Sequence, residues 1–78
     1  MSPDRLIYMA NQIGTFFASQ LRTDPADCIA DHLAKFWDPS MRKKIVAHLE
    51  QGGEGLDPLV KDAVRQLGRK DFSNPEVS

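Results

Sequence analysis

Apolar residues recur along this chain at three- and four-residue intervals, in separate blocks. Leu6, Met9, Ile13, Phe16 and Phe17 make a first stripe, and Ala26, Ile29, Leu33, Phe36 and Trp37 a second. Met41, Ile45 and Leu49, widened by Val46, make a third; Leu59, Val60, Ala63, Val64 and Leu67 make a fourth. Residues at that spacing share one face of a helix. Helices this short are marginal alone, so burial of the stripes against one another must hold them. No stretch alternates strictly between apolar and polar residues within turn signals, so no strand pattern competes. The predicted fold class is all-α, a small bundle of three to four short helices.

Proline placement sets the boundaries. Ser2-Pro3, Asp24-Pro25, Asp38-Pro39 and Asp57-Pro58 each put a good capping residue directly before proline. Proline suits the first helical position, where its missing N–H has no partner to lose. The preceding Ser or Asp oxygen accepts from first-turn amides, and a carboxylate also suits the positive end of the helix dipole. Helix starts are therefore predicted at residues 3, 25, 39 and 58, with Asp24, Asp38 and Asp57 as structural caps. Glycines in "QGGEG", residues 51–55, are expected to stop the third helix, and Gly68 the fourth. Residues 1–68 then form a single helical domain. Residues 69–78, "RKDFSNPEVS", are expected to be a flexible tail in which Phe72 can dock.

At 78 residues the chain has room for one small-cored domain. Its 41% hydrophobic and 27% charged residues are ordinary for a globular protein. A net charge of −1 gives no general attraction to nucleic acid or anionic lipid. The single cysteine, Cys28, excludes an internal disulfide and fits a reducing compartment. The start has Asp4 and Arg5 before a short apolar run, unlike a signal peptide, and no run reaches the ~20 apolar residues of a membrane span. A cytoplasmic protein is expected.

Candidate chemistry is sparse. Cys28 and His32 lie four apart on the second helix, the spacing of a metal-ligand pair. His48 is the only other histidine and no second cysteine exists, so a zinc set is incomplete and no metal site is assigned. "GGEG" lacks the Lys-Ser or Lys-Thr of a phosphate loop. Nothing marks a nucleophile with its base and oxyanion donors, so no catalytic residue is assigned. Arg42, Lys43 and Lys44 follow a tight corner, and a helical DNA-binding or regulatory domain using that cluster is the alternative reading. The helix that would read DNA is rich in Met41, Ile45, Val46 and Leu49, so a solvated basic face is the simpler account. The adjacent pairs Phe16-Phe17 and Phe36-Trp37 project about 100° apart on a helix, so one member of each can line the core while the other reaches the surface. Residues of that kind favour partner surfaces; a small core that wraps them all is the equal alternative.

"MANQIGTFFASQ" (9–20), "IADHLAKFWDPSMRKKIVAHL" (29–49) and "GGEGLDPLVKDAV" (52–64) resemble the small delta subunit of soluble NAD-dependent formate dehydrogenases. The likeness rests on the spacing of Asn11-Gln12, Phe16-Phe17, His32, Phe36-Trp37-Asp38-Pro39, Met41-Arg42 and Leu56-Asp57-Pro58-Leu59. Ser40 departs from it, since the family pattern often has arginine there. The resemblance implies a non-catalytic accessory subunit that binds the large molybdopterin subunit and supports cofactor insertion or complex stability. It implies a parent complex holding molybdenum or tungsten on two pterin guanine dinucleotides, iron–sulfur clusters, FMN and NAD. None of these is expected in this chain, which lacks a cluster cysteine set and a dinucleotide fingerprint. Expected partners are the large catalytic subunit, with no nucleic acid and no membrane, and self-association of the isolated chain through exposed apolar rims. At the FWDPSMR corner, Phe36 is expected to pack inward. Trp37 and Arg42 are expected to face the large subunit, assisted by Phe17 and Tyr8.

Overall fold

The computed structural model describes the backbone of residues 3–20 and 24–72 and the side chains of residues 4–20 and 24–69. Within it the chain forms α1 (Pro3–Ala18), α2 (Pro25–Phe36), α3 (Pro39–Glu50) and α4 (Pro58–Phe72), with no strand among the described residues. Every helix begins at its predicted proline. α2 and α4 form the most extensive helix pair, α3 packs on α4, and α1 lies across the other three.

The caps act unequally. Asp24 Oδ1 accepts from the Asp27 amide at 3.3 Å, and Asp38 Oδ1 accepts from the Met41 amide at 3.0 Å. Asp57 also precedes its helix, but there the backbone does the work. Its carbonyl accepts from Lys61 N at 2.9 Å, and its own N–H donates to Asn11 Oδ1 at 3.0 Å. Among the described residues no first-turn amide donates to the Asp57 carboxylate, so the expected side-chain cap is corrected to a backbone one. Ser2 lies outside the described residues.

The helix ends follow from local geometry. The residue before a proline is driven out of the helical region, so α2 cannot extend through Asp38, and it ends at Phe36 with Trp37 as its C-cap. Trp37 (φ −89°, ψ 141°) and Asp38 (φ −74°, ψ 165°) are both extended, and these two residues are the whole link to α3. α3 ends in a turn where Gly53 takes φ +65° and its N–H returns to His48 O at 3.0 Å. A Cβ there would also crowd the movable end of Leu49, but it is the positive φ that calls for glycine. Gly68 does not stop α4. The helix runs through it to Phe72, with Gly68 seated against Val46. The predicted tail therefore begins later than residue 69, and its residues 73–78 lie outside the described residues.

The core differs from the predicted stripes at two places. On α1 the buried line is Leu6, Ala10 and Gly14, with Met9, Ile13 and Phe17 only partly covered at its sides. Small residues hold the centre because α1 crosses α4 closely: a Cβ on Gly14 would lie 2.5 Å from Val60 Cγ2. On α2 the buried line is Ala26, Ile29, Ala30 and Leu33, continued by Trp37. At ~100° per residue these span an arc of about 100°, with Trp37 inside it and Phe36 just beyond its Ile29 edge. Trp37 is accordingly 5% exposed and Phe36 71% exposed, the reverse of the expected arrangement.

Candidate functional site

The FWDPSMR corner is built around its own backbone. Trp37 N–H donates to Leu33 O at 3.0 Å, and its indole is part of the hydrophobic core. Arg42 is half-buried and turns back across the corner, where its Nη1 donates to Ala34 O at 3.0 Å and to Trp37 O at 2.6 Å. A cation on the last carbonyls of α2 offsets the negative end of that helix. Ser40 Oγ donates to Asp38 Oδ1 at 2.9 Å beside the Met41 amide. The Met41 amide first, and then the Ser40 hydroxyl, hold the Asp38 carboxyl below its ordinary value of 3.8. Trp37 and Arg42, both expected at a docking surface, are thus structural in this chain. One side chain fills the core beneath the corner and the other closes the helix above it.

The remaining predicted residues are dispersed. Tyr8 is 65% exposed on α1, beside Asp4, Arg5 and Met9, and Phe17 is half-buried. Lys43 and Lys44 are exposed on α3, while Arg42 is engaged at the corner, so the basic run does not act as a single cluster. Cys28 is half-buried on α2. His48 Nε2 donates to Glu54 O at 2.7 Å, tying the end of α3 to the glycine turn and away from Cys28 and His32. Among the described residues no group of three or more His, Cys, Asp or Glu is placed to hold a metal ion. No described helix is long and apolar enough to cross a membrane.

What the fold does bring together is a row of rings on the outer side of α1 and α2. Phe16 meets Phe17 edge-on, with centroids 5.2 Å apart. Phe17 meets His32 at 5.7 Å across the helix pair, and His32 meets Phe36 at 4.7 Å. Phe16 is 57% exposed, so the row is open at both ends. Beside it Lys35 Nζ and Asp31 Oδ2 form an ion pair at 3.1 Å. The sequence holds the signal for half of this row: Cys28, His32 and Phe36 step by four along the flank next to the core arc of α2. The contact with Phe17 depends on how α1 lies across α2 and has no local signal. The same applies to Asn11, whose Nδ2 donates to Gly55 O at 2.9 Å while its Oδ1 accepts from Asp57 N. That one amide fastens α1 to the turn before α4.

No curated protein and no solved structure matches the chain. The sequence model of one family, described as the NADH-dependent formate dehydrogenase delta subunit FdsD, matches residues 5–64. That span covers α2, α3, nearly all of α1 and the first half of α4, and it contains the whole ring row, the corner and the Asn11 clamp. A match over most of a chain that folds as a small all-helical body establishes the assignment: this chain belongs to the family of NADH-dependent formate dehydrogenase delta subunits.

Proposed function

We propose that the chain is a non-catalytic accessory subunit that binds the large molybdopterin subunit of a formate dehydrogenase and supports insertion or retention of its cofactor. The observation that carries the reading is where the polar side chains go. Asn11, Asp24, Asp38, Arg42 and His48 are engaged with this chain's own backbone, while large aromatic groups are left outside. Such a division suits a rigid body that acts by contact. Its side chains lose little freedom on docking, which keeps the entropic cost of association low. Cofactors belong to the other subunits in this reading: one cysteine cannot supply the thiolates of an iron–sulfur cluster.

The test is to produce the enzyme with and without this chain. Loss of pterin and metal from a large subunit that is still synthesised, with a matching loss of formate-dependent NAD reduction, supports the role. Full cofactor content and full activity in its absence overturn it.

A further inference from the structure

We infer that the ring row Phe16–Phe17–His32–Phe36 is the face on which this chain docks to the large subunit, against an uncharged apolar ridge of that partner. The inference rests on the accessory-subunit reading and assigns the contact within it. Three alternative surfaces are poorer. The cleft between α3 and α4, with Val46 and Val64 in its wall, is edged by Arg65, Arg69 and Glu50, and its Gly68 and Arg69 lie beyond the family match. Lys43 and Lys44 offer charge without an apolar centre. The Tyr8 surface has a single ring between Asp4 and Arg5.

The ring row has the makeup of an interface centre. Aromatic groups are enriched in such centres, and charges are depleted. Phe16 and Phe36 are 57% and 71% exposed, although the core is filled without them. Between the rings lies a recess of about 340 Å³ bordered by Phe17, Cys28, Asp31, His32, Lys35 and Phe36. The charges on its rim, Asp31 and Lys35, neutralise each other at 3.1 Å. The face therefore projects no net charge toward a phosphate or an anionic lipid, and it complements a partner surface that is likewise uncharged.

Area sets the extent of the contact. An aromatic side chain buries roughly 150–250 Å² when fully covered, so the open parts of Phe16 and Phe36 contribute roughly 200–300 Å² together. The rings alone fall well short of the roughly 800 Å² per partner of a stable interface, so the occupant must extend past them onto the flanks of α1 and α2. A large subunit offers the surface to do so.

The experiment uses the full chain and the purified large subunit of its own complex. Phe16→Ser, Phe36→Ser and the pair are compared with wild type and with Tyr8→Ser as a surface control. Helical melting is recorded for each. The pair is expected to melt like wild type and to bind at least roughly thirtyfold more weakly, the loss typical of central interface residues. Tyr8→Ser is expected to bind as wild type does. Wild-type affinity in both single variants and in the pair overturns the face and leaves the partner standing. Failure of the wild-type chain to bind the large subunit overturns the accessory reading itself. A wild-type dimer that Phe36→Ser dissociates gives the face to a second copy instead, and the proposal falls.

Discussion

Gly14 sits where α1 passes close over Val60 of α4, and its replacement by alanine makes a quantitative prediction. The added Cβ would stand 2.5 Å from Val60 Cγ2 and 3.8 Å from Ile29 Cδ1. Carbon atoms pack at about 3.5–4.0 Å, so something must move by about 1 Å. Val60 is fully buried, and a β-branched side chain in a helix has essentially one rotamer, so it cannot swing aside. Overpacking of this kind costs about 1–3 kcal/mol. Alanine is better than glycine inside a helix by about 1 kcal/mol, which offsets part of the loss. Gly14→Ala alone should therefore destabilise by about 0–2 kcal/mol. In a Val60→Ala background the obstructing methyl is absent. That variant should lose about 2 kcal/mol itself, from buried methyl groups and the space they leave. Gly14→Ala added to it should stabilise, because the helix preference remains and the clash does not. The four proteins of the cycle are compared by urea unfolding, read at equal slopes so that midpoints report stability. A coupling energy of about 1–3 kcal/mol is expected between the two sites. Identical effects of Gly14→Ala in both backgrounds would refute the crossing of α1 over α4 at this point.

Trp37→Ala should cost about 3–5 kcal/mol as a large core truncation, read by thermal or urea unfolding; a loss under 1 kcal/mol would return Trp37 to the surface. Asn11→Ala removes two hydrogen bonds between α1 and the turn before α4 and should cost about 1–3 kcal/mol, with the largest increase in amide exchange at Asp57, whose N–H donates to Asn11. Acid unfolding tests Asp38: because its folded carboxyl titrates below the ordinary 3.8, its contribution is complete above that value and is lost as pH falls below it through the lowered folded value. Asp38→Asn keeps a capping oxygen without the titration, so it should flatten stability against pH in that window, and an unchanged acid limb counts against the cap.

The helix starts were legible because each is written locally, as a capping residue followed by proline. The two-residue corner follows from the same signal, since the residue before Pro39 cannot stay helical. Partners across the fold were not legible. Gly68 looks like a stop in isolation, but in the bundle it is where α4 passes close to Val46, and packing overrides the local preference. Ala10 and Gly14 carry little apolar weight in the sequence of α1, where larger neighbours dominate the stripe, whereas the closeness of α4 favours the small ones. Trp37 was legible in principle, lying four residues beyond Leu33 and seven beyond Ala30. Its neighbour across Asp38-Pro39 suggested a surface corner, and the helix arithmetic was the better guide. Arg42 reads as a free cation in sequence, because the carbonyls it caps lie five and eight residues back.

The ring row is shared between two helices, and this has a consequence for how the protein responds to its environment. Phe16 and Phe17 belong to α1, and His32 and Phe36 to α2. α1 packs on α2 and α3 and crosses α4 more narrowly, and the Asn11 clamp adds bonds that span 44 and 46 residues of chain. An opening that breaks this clamp together with the helix contacts of α1 is a sub-global step. Once α1 lifts, the row is halved. A ligand that grips the complete row therefore recognises the closed conformer only, and by mass action it must suppress the opening in proportion to its saturation. Protease resistance of α1 would then rise with occupancy, so that the bound subunit is protected while the orphaned one is exposed to turnover.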